Sequence, residues 1–213
     1  MRRAILFNME INEAKKEYRA EARARLEATT EEYRSSASVT IALNAIALPE
    51  MKKAKTVLLY CSVGKEPSTL ALITKLIESG KKVCLPRCTD FGADGIRVSD
   101  ECTMEARRIT TLDHLEAGAY GIPAPIAEDK VCPVVKPTRI DLIVLPCVAC
   151  DADCNRLGHG AGYYDRYLDE VRGDCYKVAL CYDSLIMEEI PTEEHDMTVN
   201  AVITEKAIYR WRR

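Results

Sequence analysis

The sequence lacks an apolar run approaching the roughly 20 residues that a membrane-spanning helix needs. It also lacks a large net charge, because 30 Lys and Arg stand against 33 Asp and Glu. The resulting charge of −3 argues against a nucleic-acid-binding protein as a whole. The basic start is followed by too short an apolar run for a secretory signal, and Glu10 interrupts it. We therefore expect a cytoplasmic protein with no nucleic acid, membrane or obligate protein partner.

Histidine is scarce as well, and this matters for whether the ten cysteines could form a metal site together with histidine. The three histidines, His114, His159 and His195, are scattered along the chain. Cys147 and Cys150 form a Cys-x-x-Cys pair that Cys154 follows, but no second pair lies at a spacing typical of zinc sites. The sequence therefore favours reduced thiols that pack as small apolar side chains. A zinc or redox site built on Cys147, Cys150 and Cys154 stays an alternative.

The apolar segments predict the fold class. The segments 56–61, 140–147 and 177–182 are almost continuously apolar, which is typical of strands that are buried on both faces of a sheet. We expect an α/β fold with an open, mainly parallel sheet and helices on both faces, in a Rossmann-like three-layer arrangement. We expect one domain over residues 1–213, with N-terminal helices at about 10–48 and an α/β core at about 55–205.

The first β-α-β unit indicates where a ligand would bind. Strands at 56–61 and 82–86 flank a helix at about 68–79, so they should be parallel with a right-handed crossover. The loop 62–68 then lies at the carboxyl end of the first strand, where open α/β sheets bind ligands. Glu66 lies in this loop, although an exposed carboxylate without function is the alternative for it.

The N-terminal region predicts two helices, at 11–28 and at about 31–48. Thr29 and Glu32 have the spacing of a capping box for the second helix. Lys15 and Arg19 are four residues apart and share one face of the first. Without further information, that face is a solvated charged surface.

Alternating glycines follow the most apolar strand of the chain. Gly158, Gly160 and Gly162 separate the strand at 140–148 from a helix predicted at 163–171. Glycine reaches positive φ and lets a ligand approach the backbone, and a helix N-terminus after such a turn suits phosphate. Arg156 adds a positive charge and Asp165 a carboxylate that can hold a metal ion. The sequence therefore predicts a nucleotide-phosphate and metal site here.

Two familiar phosphate motifs are excluded at this turn. No Gly-Lys-Ser/Thr follows, as a Walker loop requires, and the glycine spacing differs from that of the dinucleotide fingerprint. Taken alone, the glycines are also compatible with a purely structural turn.

The whole segment 155–168, Asn-Arg-Leu-Gly-x-Gly-x-Gly-Tyr-Tyr-Asp-x-Tyr-Leu, resembles the signature of the 5-formyltetrahydrofolate cyclo-ligase family, also called methenyltetrahydrofolate synthetase. The resemblance implies an ATP- and Mg²⁺-dependent conversion of 5-formyltetrahydrofolate to 5,10-methenyltetrahydrofolate with release of ADP and phosphate. It implies that ATP phosphorylates the formyl oxygen before N10 attacks. A folate- or nucleotide-binding protein of the same fold without turnover is the alternative.

The resemblance also implies roles for individual residues. Arg156, Tyr163 and Tyr164 are the expected catalytic residues, and Asp165 and Asp196 are the expected magnesium ligands. The residues expected to bind ATP are Lys15, Arg19, Arg156, Leu157, Gly158, His159, Gly160, Ala161, Gly162, Tyr163 and Tyr164. Those expected to bind the folate substrate are Cys61, Glu66, His159, Gly160, Ala161, Gly162 and Tyr163.

Further motifs carry the resemblance from Lys15 to Thr204. Lys15 and Arg19 match a Lys-x-x-x-Arg pair that touches ATP in the family, and Glu66 and Thr69 match a strand-end motif that contacts the pterin. Asp196 occupies the position of an acidic residue that helps to hold magnesium.

Two positions depart from the family pattern. Ala124 stands in the Gly-Ile-x-x-Pro loop where Glu or Gln is common, and Ala161 stands where members often have Lys or Gly. The first departure removes a polar substrate contact, and the second can remove one positive charge from the phosphate site. His159 can compensate for that charge in part, when it is protonated.

Overall fold

The computed structural model describes residues 2–92, 96–193 and 196–212, with side chains from Glu10 onward. The helices are α1 (Arg2–Glu27), α2 (Glu31–Ala47), α3 (Pro49–Lys53), α4 (Leu70–Glu78) and α5 (Tyr163–Asp169). The strands are β1 (Thr56–Leu58), β2 (Lys82–Cys88), β3 (Met104–Ile109), β4 (Leu115–Ala117), β5 (Pro123–Pro125), β6 (Val134–Val135), β7 (Leu142–Leu145), β8 (Ala149–Asp151), β9 (Arg156–Leu157), β10 (Tyr176–Leu180), β11 (Ile186–Met187), β12 (Ala201–Ile203) and β13 (Ile208–Arg210).

An eight-stranded sheet in the order β13-β12-β10-β7-β1-β2-β3-β6 forms the centre of the fold. Its inner strands β12, β10, β7, β1 and β2 are parallel, and β13, β3 and β6 pair antiparallel at the two edges. Every residue of β1 and β7 is buried, as expected for strands that are covered on both faces. Two small sheets, β11-β8-β9 and β4-β5, flank the large one.

Helices cover both faces of the large sheet. Helices α2 and α4 contact each other and lie on one face, where α4 connects β1 to β2. Helix α5 lies between β7 and β10, and this connection runs along the sheet in the opposite direction. A right-handed crossover in that direction places α5 on the other face. The predicted mainly parallel α/β sheet with helices on both faces is confirmed.

Local boundaries differ from the sequence predictions at two points. Thr30, not Thr29, is the N-cap of α2, and its side chain accepts a hydrogen bond from the Tyr33 amide, so the predicted capping box is wrong by one residue. Pro49 ends the predicted helix but also opens the short helix α3, since proline suits the first helical position.

None of the helices in the described residues is both long and apolar enough to span a membrane. Helix α1 is the longest, but it is rich in charged residues.

Candidate active site

A cavity of about 300 Å³ lies at the carboxyl end of the parallel strands. Tyr60 and Cys61 follow β1, Cys88 ends β2, and Pro146 follows β7, and all four residues line the cavity. The glycine loop, defined here as residues 158–162, forms another part of the lining. The cavity is therefore where the β-α-β unit predicted a ligand site.

Backbone conformation explains why two of the three positions in the loop are glycine. Gly160 has φ of 99° and Gly162 has φ of 79°, and L side chains rarely adopt either conformation. A Cβ at Gly158 would lie 2.8 Å from Nη1 of Arg156, so a side chain there would displace the guanidinium. The loop is thus shaped so that its backbone faces the cavity and α5 starts directly after it.

Arg156 is fixed on two sides. Its Nη1 donates to the Pro146 carbonyl at 3.1 Å, and its Nη2 donates to Asp165 Oδ1 at 2.7 Å. The Arg156 side chain is 7% exposed, whereas that of Asp165 is 62% exposed. Within the described residues, the buried Nε of Arg156 has no hydrogen-bond partner. The guanidinium is therefore held in place at the cavity wall with one donor unused.

Helix α1 brings a second guanidinium to the glycine loop. Arg19 Nε donates to the Gly158 carbonyl at 2.9 Å, and a Cβ on Gly160 would lie 3.4 Å from Arg19 Cζ. Burial and the neighbouring Arg23 lower the pKa of Arg19, while Asp196 and Asp165 act in the opposite direction. Arg19 thus lies against the outer side of the loop, close to both predicted magnesium ligands.

Lys15 lies one helical turn before Arg19 but outside the set of residues that line the cavity. Its Nζ contacts Glu193 Oε2 at 2.7 Å and Asp196 Oδ2 at 2.6 Å. Burial lowers the pKa of Lys15, but the hydrogen bonds to Asp196 and Glu193 outweigh it and raise the pKa above 10.5. Lys15 therefore joins α1 to the C-terminal segment, a role that its sequence position did not predict.

The two predicted magnesium ligands are each engaged by a cation of the chain itself. Asp165 pairs with Arg156, and Asp196 pairs with Lys15 and accepts from the Glu193 amide at 2.7 Å. Both carboxylates act on Arg19, so they lie on the same side of the molecule. That they share one magnesium ion stays a prediction.

Glu66 and His159 connect two loops that border the cavity. Glu66 Oε1 lies 3.2 Å from His159 Nε2, and Glu66 Oε2 accepts from the Val63 amide at 2.9 Å. Thr69 is fully buried, donates to the Tyr60 carbonyl at 2.8 Å and accepts from the Ser62 amide at 3.1 Å. Glu66 therefore faces the cavity as predicted, while Thr69 holds the loop after β1.

Tyr163 and Tyr164, at the start of α5, both line the cavity. Tyr163 donates its hydroxyl to Asp90 Oδ2 at 2.6 Å. Burial, followed by that hydrogen bond, raises the pKa of Tyr163, and burial raises the pKa of Tyr164. Both phenols are neutral at physiological pH, so neither acts as a phenolate, and the one hydroxyl proton of Tyr163 is already donated to Asp90.

Sequence reasoning missed several residues of this site. Asp90 is fully buried and holds Tyr163, and Met104, Tyr120 and Ile122 line the cavity from the segment that joins β2 to β6. Tyr120 has φ of 56°, which is uncommon for a residue other than glycine. The positions of Tyr60 and Cys88 at strand ends carried a signal, but Asp90 becomes recognisable only through its contact with Tyr163.

The two positions that depart from the family pattern, Ala124 and Ala161, both line the cavity. The histidines do not form a cluster with the cysteines among the described residues, and His195 lies outside them. Cys147 and Cys150 do lie together, but Cys181 is the third sulfur of that group and Cys154 is not part of it.

Comparisons with known proteins agree with one another. Residues 11–205 match the model of the 5-formyltetrahydrofolate cyclo-ligase family. The chain is 31% identical over 204 residues to the mouse 5-formyltetrahydrofolate cyclo-ligase, and this alignment covers 92% of this chain and 95% of the relative. It is 32% identical over 188 residues to a probable 5-formyltetrahydrofolate cyclo-ligase of Schizosaccharomyces pombe, covering 82% and 87%. The structure of Aquifex aeolicus 5,10-methenyltetrahydrofolate synthetase superposes with a TM-score of 0.77, at 32% identity over 93% of each chain.

Proposed function

This chain belongs to the 5-formyltetrahydrofolate cyclo-ligase family, and from that premise we propose that it converts 5-formyltetrahydrofolate to 5,10-methenyltetrahydrofolate with ATP and Mg²⁺. One observation carries the proposal beyond family membership. A single cavity brings Glu66 and the glycine loop together at the carboxyl end of the parallel strands, with Arg156 in its wall. A pterin and a triphosphate can therefore meet there.

The proposed reaction has two steps. The formyl oxygen attacks the γ-phosphorus of ATP, the bond from that phosphorus to the bridging oxygen breaks, and ADP leaves. N10 of the folate then attacks the formyl carbon and loses its proton, and the carbon–oxygen bond breaks to release phosphate. The first step turns a poor leaving group into phosphate, which allows the ring to close.

Phosphoryl transfer depends mainly on positioning and on stabilising charge. In this proposal, the amides of the glycine loop approach the phosphate oxygens, because Gly158, Gly160 and Gly162 have no side chain of their own to keep a ligand away from the backbone. The buried guanidinium of Arg156, held by Pro146 and Asp165, supplies positive charge that needs little reorganisation during the reaction. Arg19 supplies a second guanidinium from behind the loop.

The folate end of the cavity is assigned to Glu66. Its carboxylate is held by the Val63 amide, which leaves acceptor capacity for the N–H groups of a pterin. Tyr163, whose hydroxyl donates to Asp90, contributes its ring and a hydroxyl oxygen that can accept a hydrogen bond from the substrate. Ala119, Ile122 and Ala124 give this part of the lining apolar surface on which an aromatic ring can pack.

Magnesium suits the carboxylate oxygens of Asp165 and Asp196, because it is a hard ion that prefers oxygen ligands. When bound, it supplies positive charge against the phosphate oxygens of ATP. Asp165 fits this role because its side chain is largely exposed and one of its oxygens is free of Arg156. Ten cysteines, none in a disulfide among those described, support the reducing cytoplasm as the compartment.

The test is direct. Purified protein is incubated with 5-formyltetrahydrofolate, ATP and Mg²⁺, and the absorbance of the methenyl product is followed together with release of ADP. We expect one ADP per methenyl product, and no product when ATP is omitted or Mg²⁺ is chelated. Binding of ATP and folate without any methenyl product would contradict the proposal and favour a binding protein of the same fold.

A further inference from the structure

Three buried cysteines meet behind the cavity. The sulfur atoms of Cys147, Cys150 and Cys181 all lie within 4.8 Å of one another. Cys150 and Cys181 are at most 1% exposed, and Cys147 is 8% exposed. Cys147 comes two residues after β7, Cys150 is the middle residue of β8, and Cys181 directly follows β10. Three separate segments of the fold thus each place one thiol in the same cluster.

The backbone fixes this arrangement. Leu145 of β7 pairs with Ala179 of β10, so two residues further along both strands Cys147 stands opposite Cys181. Strand β8 is held on both sides, because Cys150 pairs with Arg156 of β9 and with Ile186 of β11. A ligand that needs all three sulfurs would therefore find them already assembled in the folded chain.

We propose that these three thiols form a binding site for a closed-shell thiophilic metal ion, Zn²⁺ or Cu⁺, which all three sulfurs ligate as thiolates. Thiolates are the ligands that select these ions. Zinc–sulfur bonds of about 2.3 Å place the sulfurs of a three-thiolate site about 4 Å apart, within the separation that the structure has. The inference does not depend on the proposed function.

Binding has a defined proton balance, since each thiol loses its proton as its sulfur bonds to the ion. Three thiols and one Zn²⁺ give a complex of net charge −1 and three protons that pass to the buffer. Hydrogen bonds from Cys150 and Cys181 lower the pKa of Cys147, whereas burial raises the pKa of Cys150. Cys147, as the most exposed of the three, is the point of entry for the ion.

Cys147 must give up one contact to bind the ion. As a thiol it donates to the Leu180 carbonyl at 3.1 Å, and that hydrogen bond is lost when the sulfur is ionised and turns to the ion. The simpler reading is that all three thiols only fill the core as small apolar side chains. The two readings differ in whether the folded protein retains an ion, which can be measured.

The site lies directly behind Arg156. Pro146, which precedes Cys147, accepts the hydrogen bond from Arg156 Nη1, and Cys150 is the strand partner of Arg156. A bound ion therefore fixes two backbone segments that hold this guanidinium in the cavity wall. Occupancy should be visible at the cavity as a changed affinity for ATP, independently of turnover.

The experiment uses the full chain with the partly exposed Cys88 and Cys102 replaced by serine, reduced and freed of metal with a chelator. Zn²⁺ is titrated in one arm, and Cu⁺ is titrated without oxygen in the other. We expect one ion per chain after desalting, a higher unfolding temperature, and three sulfur neighbours at about 2.3 Å for zinc by X-ray absorption. Calorimetry in buffers of different ionisation enthalpy should report proton release with zinc.

Variants separate the site from general thiol binding. Cys150→Ser and Cys181→Ser should lose the retained ion, while the matched control Cys154→Ser, also fully buried but outside the cluster, should keep it. Circular dichroism checks that each variant is folded. If a variant fails to fold, the sulfur count measured on the chain with all three cysteines decides. The proposal would be overturned if the protein retained no ion, or if the bound ion had fewer than three sulfur neighbours. It would also be overturned if a disulfide between cluster cysteines blocked binding, or if Cys154→Ser lost the ion equally.

Discussion

The Lys15 ammonium lies between the carboxylates of Glu193 and Asp196, and we expect it to stabilise the folded state through these two ion pairs. Its side chain is 9% exposed, that of Glu193 is 10% exposed and that of Asp196 is 31% exposed. Removing the cation takes away the ammonium partner of the partly buried Asp196 carboxylate and one ion pair of Glu193. The family resemblance assigned Lys15 to ATP, whereas its contacts within the chain indicate that it also stabilises the site.

We expect Lys15→Met to lower the free energy of unfolding by about 3 kcal/mol, since the partly buried Asp196 carboxylate then loses its ammonium partner. Lys16→Met is the matched control, because Lys16 is adjacent, its side chain is 76% exposed, and it lies 3.6 Å from Glu13. Urea unfolding of both variants measures the difference. A loss in Lys15→Met no larger than in the control would show that the ion pairs contribute little.

The same residue gives a pH dependence of known sign. The folded pKa of Lys15 is raised above 10.5, so its stabilisation is complete below that pH and is lost as pH rises through the folded value. The stability difference between wild type and Lys15→Met should therefore stay constant from neutral pH to about 10 and narrow above it. Urea midpoints across this alkaline range test the sign, and a difference that grows with pH would contradict it.

Glu66 tests the folate assignment. In Glu66→Gln, an amide oxygen can still accept from the Val63 amide, so the loop should keep its conformation. Hydrogen bonds to a charged acceptor are stronger, and we expect folate affinity to fall about tenfold or more while ATP affinity changes little. Glu27→Gln, which removes a surface carboxylate paired with Lys65, is the control. Equal loss of both affinities with lower stability would indicate a structural role instead.

At the scale of elements, the central parallel strands β1, β7 and β10 could be predicted, because burial on both faces makes their sequences almost continuously apolar. The two-residue strands, such as β6 and β9, could not, since two residues are too few to show a pattern and only pairing with β3 and β8 defines them. The residues of the site differ in the same way in whether the sequence could predict them. The glycine loop has a local sequence signal, whereas the contact of Asp90 with Tyr163 exists only in the folded chain.

The glycine loop yields a prediction at this scale. Gly160→Val places a branched side chain at φ of 99° and against Arg19, so the loop must change its path. We expect ATP affinity to fall by at least about tenfold while far-UV circular dichroism is retained, because the loop lies outside the sheet. Gly173→Val is the control, since a Cβ there meets no atom within 4 Å and its φ is not positive. Unchanged nucleotide binding in Gly160→Val would remove the loop from the phosphate site.

For the whole molecule, we propose that residues 1–213 fold as one domain. Helix α1 is tied to the C-terminal half through Lys15 and Arg19, and Tyr33 of α2 donates to Glu205 at 2.7 Å. Far-UV circular dichroism and the fluorescence of Trp211, the single tryptophan, should therefore report one coincident urea transition. Two separate midpoints would show that the N-terminal helices unfold independently of the sheet.

The contacts of Lys15 have a consequence for synthesis of the chain. Its partners Glu193 and Asp196 are 178 and 181 residues away, and the Gly158 carbonyl is 139 residues from its partner Arg19. Helix α1 is synthesised before the segments that it contacts, so Lys15 and Arg19 can meet these partners only after residues 158 and 193–196 have been made, since domains assemble as translation proceeds. A nascent chain that stops before residue 193 can pair β1, β2, β7 and β10, but its Lys15 ammonium still lacks Glu193 and Asp196. Formation of the Lys15 ion pairs is thereby linked to synthesis of the segment that holds Glu193 and Asp196.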